Sequence, residues 1–76
     1  MFLQRLKDLR VENNKTQVEI AALLYLNREL YRNYEKGNRE IPTWAIIKLA
    51  EYYRVNIDYI FGLTNERAPY PKKKRG

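Results

Sequence analysis

The chain has no cysteine, no histidine and no serine among its 76 residues. Without cysteine there is no disulfide framework and no thiolate metal site. Without histidine or serine, zinc enzymes, serine and cysteine nucleophiles and imidazole acid–base chemistry are excluded together. Asp and Glu remain, but a chain this short offers no sizeable substrate cleft, so neither an enzyme nor a cofactor is expected. Long hydrophobic runs are missing too. The longest uncharged stretch is residues 20–27, far short of the ~20 apolar residues of a membrane span. Residues 1–10 carry Arg5, Lys7, Asp8 and Arg10 with no apolar core segment, so no signal peptide is expected. What remains is a soluble, cytoplasmic domain that fits a reducing compartment and has no membrane partner.

What is present is charge, unevenly placed. Lys and Arg number 15 against 9 Asp and Glu, a formal net of +6. Residues 65–76 hold five basic groups and one acid, giving +4, whereas residues 1–64 hold ten basic and eight acidic groups, giving +2. Most of the surplus belongs to a tail, so net charge alone says little about the body.

At 45% hydrophobic the chain has enough apolar residues to fold. No stretch alternates apolar and polar residues for long enough to make a strand, and the apolar residues recur at helical spacing. Leu3, Leu6 and Leu9 form the stripe of a first helix closed by Asn13 and Asn14, Asn being second only to Gly in a left-handed cap. Thr16 with Glu19 three residues on forms a capping-box pattern. It opens a second helix over 17–24, with Ile20, Leu23 and Leu24 inward and Ala21 small enough for close contact. After the short connection Tyr25-Leu26-Asn27, Asn27 caps a third helix that carries Tyr31 and Tyr34 on one face and stops at Gly37. Pro42 or Thr43 opens a fourth helix, since the first turn does not miss the proline N–H. Trp44, Ile46, Ile47, Leu49, Ala50 and Tyr53 give that helix a broad apolar face. Asn56 caps a short fifth helix ending at Gly62, with Ile57, Ile60 and Phe61 as apolar members. The expected architecture is all-α, with a domain over residues 1–64 and a flexible basic tail over 65–76.

Two short capped helices joined by about three residues have the form of a helix-turn-helix unit. The run Thr16-Gln17-Val18-Glu19-Ile20-Ala21-Ala22-Leu23-Leu24, followed by Tyr31-Arg32-Asn33-Tyr34-Glu35-Lys36-Gly37-Asn38-Arg39-Glu40-Ile41-Pro42, resembles the Cro/repressor-type DNA-binding domain, the compact five-helix lambda-repressor-like fold. Lys48-Leu49-Ala50-Glu51-Tyr52-Tyr53 and Val55-Asn56-Ile57-Asp58-Tyr59-Ile60-Phe61-Gly62 extend the likeness, which covers residues 4–64.

The resemblance implies that the second helix of the pair enters the major groove of double-stranded DNA while the first crosses above it. Asn27, Arg28, Glu29, Arg32 and Asn33 would then form the groove-facing, base-contacting edge. Gln17, Lys36, Asn38 and Arg39 would meet the sugar–phosphate backbone, and Arg10 and Glu35 would form an internal ion pair. It further implies a bacterial or phage regulator, a repressor that binds a palindromic operator as a homodimer paired through Val55, Ile57, Tyr59 and Phe61. The family usually has Gly where this chain has Tyr25, and commonly an apolar residue at Lys15. The first departure predicts roughly 1 kcal/mol or more of backbone strain.

The residues support this reading on their own terms. Arg28, Arg32 and Lys36 recur at i, i+4 and i+8, one basic stripe on a helix whose other face is aromatic. Arg can bond bidentately to guanine, Asn to adenine, and Glu can accept from cytosine N4. Arg28 at a helix N-terminus opposes the macrodipole by a few tenths of a kcal/mol, roughly, which an acidic partner would offset. The bland counterpart is a solvated charged face. A rival function is an antitoxin or co-regulator whose main contact is a regulatory protein partner. The seven tyrosines could also stack unpaired bases, but Tyr31, Tyr34 and Tyr53 fall on core faces. The run Lys72-Lys73-Lys74-Arg75 resembles an import signal, could lie along phosphates, or could be merely solvated.

Overall fold

A computed structural model describes residues 1–71. Among these residues the chain is all-helical, with α1 over Gln4–Glu12, α2 over Gln17–Leu23, α3 over Arg28–Lys36, α4 over Thr43–Tyr53 and α5 over Ile57–Ile60. Several starts and stops have a local cause. Thr16 and Glu19 form the reciprocal capping box at α2. Asn27 Oδ1 accepts from Leu30 N–H at 2.8 Å at α3, and Asn56 Oδ1 accepts from Tyr59 N–H at 2.7 Å at α5. After α1 the chain turns through Asn14 at φ 56°, and α3 ends on Gly37 at φ 78°. Gly37 is required twice over, because a Cβ there would stand 3.0 Å from the Phe2 backbone.

One core holds the helices together. Leu3, Leu6 and Leu9 meet Ile20, Ala21 and Leu24, with Tyr31, Tyr34, Ala45, Ile46, Leu49, Ala50, Val55 and Ile60 completing it. α2 and α3 pack directly against each other across their short connection, so the helix-turn-helix unit is one contiguous part of the fold. No helix among the described residues is long and apolar enough to cross a membrane.

The sequence reading needs four corrections. α2 ends at Leu23, with Leu24 as its buried cap and Leu23 itself half-buried. In α4 the inward face is Ala45, Ile46, Leu49 and Ala50, while Trp44 and Ile47 are about half exposed. A 3.6-residue period buries 45, 46, 49 and 50 together and turns 44 and 47 outward, so the expected face was too broad. In α5 only Ile60 is buried, and Ile57 and Phe61 stand at the surface.

The fourth correction concerns the tail, which does not leave the body at residue 64. Asn56 donates its backbone N–H to the Arg67 carbonyl at 3.1 Å, and its side-chain amide donates to the carbonyls of Glu66 and Ala68 at 2.8 and 2.9 Å. Arg67 makes a bidentate pair with Glu12 at 2.9 and 2.7 Å. Arg5 donates to the carbonyls of Tyr59 and Thr64 and to Asn65. Tyr70 donates to Asp58 at 2.8 Å. Residues 64–70 are therefore a strap bonded to α1 and α5. The basic run Lys72 to Arg75 lies outside the described residues.

Candidate nucleic-acid interface

The helix-turn-helix unit is locked from behind by one carboxylate. Glu35, only 5% exposed on the inner face of α3, accepts from Arg10 of α1 through Nε at 2.7 Å and Nη2 at 3.2 Å. Gln17, the first residue of α2, donates to the same carboxylate at 3.3 Å. Arg10 also donates to the Lys15 carbonyl at 2.9 Å, which ties down the corner where an apolar residue is commoner. Burial alone would raise the Glu35 carboxyl. The hydrogen bonds from Arg10 and Gln17 and the Arg10 charge outweigh that and hold it below the usual carboxylate range.

Two phenols share this site. Tyr31 and Tyr53 are both raised well above the ordinary phenol value, chiefly by burial and also by the Glu35 charge. The Tyr31 hydroxyl adds to the field at Glu35 from close by, but neither it nor the Tyr53 hydroxyl completes a hydrogen bond of normal geometry. The expected Arg10–Glu35 pair is thus present. The two buried hydroxyls beside it were not expected, since helical spacing marks Tyr31 and Tyr53 only as core.

The opposite side of α3 is open. Asn27, Arg28, Glu29 and Lys36 are exposed, and Arg32 and Asn33 are half-exposed, whereas Tyr31, Tyr34 and Glu35 are buried. The open positions are not equally disengaged. Asn27 uses its Oδ1 as the helix cap. Arg32 pairs with Glu29 at 3.0 Å, an exposed contact worth ~0–1 kcal/mol and readily exchanged. Asn33 donates to the Glu29 carbonyl at 3.0 Å and accepts from Asn38 at 3.2 Å, bracing the loop after α3. Arg28, Lys36 and Arg39 have no carboxylate partner among the described residues. These three unpaired cations flank the paired Glu29 and Arg32.

The structure places two expected contact groups elsewhere. Gln17 turns its side-chain amide inward to Glu35, not outward toward solvent. Of the residues expected at a dimer surface, Val55 is 4% exposed and belongs to the core. Tyr59 is held between two guanidinium groups, Arg5 at 4.0 Å and Arg67 at 5.2 Å from its ring centroid. Ile57 and Phe61 remain at the surface. A valine just after a helix end is needed to close the α4–α5 corner, and periodicity within the short α5 does not reveal that.

The turn keeps the geometry of its family despite its side chain. Tyr25 adopts φ 56°, the left-handed region that glycine enters without strain. Its ring is 89% exposed and carries the Lys48 ammonium 4.7 Å from its centroid. No sequence pattern links residues 25 and 48.

Two capped helices locked across a short left-handed turn, with a cationic edge on the second, define a helix-turn-helix protein of the Cro/repressor type. The helix-turn-helix domain family matches residues 3–66, and the chain belongs to that family. It is 35% identical over 75 residues to the uncharacterized HTH-type transcriptional regulator YobD of Bacillus subtilis, covering 99% of this chain and 65% of the relative. It is 37% identical over 57 residues to the cryptic phage CTXphi transcriptional repressor RstR of Vibrio cholerae, covering 75% and 51%. Against the HTH-type transcriptional regulator ImmR of Bacillus subtilis it is 36% identical over 59 residues, covering 78% and 46%. The chain therefore spans about half to two thirds of the length of these relatives. No solved structure matches it with comparable significance.

Proposed function

We propose that this chain is a sequence-specific double-stranded DNA-binding transcription regulator, a repressor acting in the bacterial cytoplasm at the nucleoid. The carrying observation is the cationic edge of α3, backed by a locked helix-turn-helix unit. The relatives, named as transcriptional regulators and a phage repressor, support the same reading.

In this reading α3 lies in the major groove. Asn27, Arg28, Glu29, Arg32 and Asn33 face the base edges, and Lys36, Asn38 and Arg39 meet the backbone behind them. Gln17 contributes to the backbone set by releasing Glu35, which retains both Arg10 hydrogen bonds when it does. Arg28 is the principal reader of bases, because it alone on that edge combines bidentate chemistry with freedom from an internal carboxylate.

The protein binds as a homodimer to an imperfect palindrome whose half-sites lie about one helical turn apart, ~34–36 Å. Exposed Ile57, sharing a groove with Ile47 and Tyr70, and exposed Phe61 offer apolar area for such pairing. A gel shift with random duplex at low salt, repeated with specific competitor, tests the reading. Retardation that only the specific duplex displaces supports it. No retardation under any condition would overturn it in favour of a protein partner.

A further inference from the structure

The turn between α2 and α3 holds a bulky side chain at a strained position. Tyr25 lies in the left-handed region, where a non-glycine residue is disfavoured and persists when its surroundings or its role demand it. The turn that ends α2 demands the positive φ, as the ends of α1 and α4 do at Asn14 and Arg54, but it does not demand a bulky side chain. The ring is 89% exposed and fills no part of the core. What touches the ring is Lys48, reaching from α4 to 4.7 Å from the centroid, and Lys48 has no carboxylate partner among the described residues. The pair is a phenol with a cation resting on it, projecting from the turn that leads into the recognition helix.

Position indicates what such a group meets. Tyr25 lies three positions before Arg28, so their Cα atoms are at most ~11 Å apart. The major groove is ~12 Å wide. A residue anchored that close to one that enters the groove can therefore reach a wall of the groove, which is phosphate. Resting on the DNA reading above, we propose that Tyr25 and Lys48 form a phosphate clamp at the entrance of α3. The phenol O–H donates to a phosphate oxygen flanking the half-site, and the ammonium supplies the neutralising charge. The cation stacked on the ring fixes the ring's orientation before DNA arrives, and the backbone strain is retained because the ring is needed there. Nothing in the reading of bases by Arg28 requires this clamp.

Three variants test it by melting temperature and by titration of the specific duplex at several salt concentrations. Tyr25→Gly relieves the strain and should melt about 4–8 °C higher while binding more weakly. Tyr25→Phe should keep the melting temperature and lose about tenfold in affinity with the hydroxyl. Lys48→Gln should lower the slope of log affinity against log salt by about 0.9. If the wild-type chain binds its duplex and all three variants match it in affinity and slope, the clamp is overturned and the DNA reading stands. The exposed ring, with exposed Val18 and Ala22 on α2, would then belong to a protein-facing patch. If the wild-type chain binds no duplex, the clamp falls together with the DNA reading.

Discussion

The two faces of α3 lie within one nine-residue helix and are built on opposite rules. The inner face buries Tyr31, Tyr34 and Glu35, and its single charge is committed to Arg10 and Gln17. The outer face exposes Arg28, Glu29 and Lys36 and leaves most of its charge uncommitted or cheaply paired. The buried face gives the helix one position against α1 and α2. The open face can then present charge to a polyanion from a backbone that does not have to rearrange. Mutations on the inner face should therefore be read in stability, and those on the outer face in binding.

The largest expected effect breaks the inner face. Glu35→Ala leaves the partly buried Arg10 guanidinium with only the Lys15 carbonyl as partner, which should cost up to about 3–5 kcal/mol in thermal or urea unfolding. In a chain of this size such a loss should unfold most molecules at room temperature. An effect below about 1 kcal/mol would mean that Arg10 finds another partner and that Glu35 is not the lock.

Next in size is the outer face. Arg28→Ala should lose about 1–3 kcal/mol of DNA binding and relax specificity at one base position. Its unfolding should change by no more than about 0.5 kcal/mol. A uniform loss across all duplexes would make Arg28 a phosphate contact.

Titration sharpens the contrast. The folded Glu35 carboxyl lies below its unfolded value, so its contribution is complete above the ordinary carboxylate range and is lost as pH falls through the folded value. The folded Tyr31 and Tyr53 phenols lie above theirs, so their contribution is complete below about pH 10 and erodes above it. With no histidine in the chain, stability should be flat from about pH 5 to pH 10 and fall on both sides. A midpoint of unfolding that drifts between pH 6 and 8 would contradict this assignment.

The smallest effect is at Tyr53, whose buried hydroxyl lacks a partner. Tyr53→Phe removes an unpaired polar group and should be neutral or stabilising by up to about 1 kcal/mol. Clear destabilisation would show that the hydroxyl is hydrogen-bonded in solution, with water as the simplest partner.

Much of this architecture was legible in the residues because it is local. Thr16 and Glu19, Asn27, Asn56 and Gly37 are caps that act within three or four positions, so the starts of α2, α3 and α5 and the stop of α3 follow from spacing. The outer edge of α3 was legible for the same reason, as the i, i+4, i+8 recurrence of Arg28, Arg32 and Lys36. What could not be read depends on contacts far apart in the chain. The strap over residues 64–70 is held by Asn56, Arg5 and Glu12, from 10 to 60 residues away, and its polar composition looks like a loose tail. Val55 is apolar in either role, core or interface, and only the α4–α5 corner decides between them. The Lys48 stack on Tyr25 likewise joins two surface residues that no periodicity connects.

The central claim is that α3 reads base sequence through its outer edge, with Arg28 foremost. Selection of bound duplexes from a random library, run in parallel with the wild-type chain and Arg28→Ala, tests it most directly. The account predicts that the wild type enriches an imperfect palindrome with half-sites one turn apart, and that the variant enriches the same palindrome with one position in each half-site relaxed. Enrichment of no common sequence by the wild type, or an unchanged motif from the variant, would contradict it.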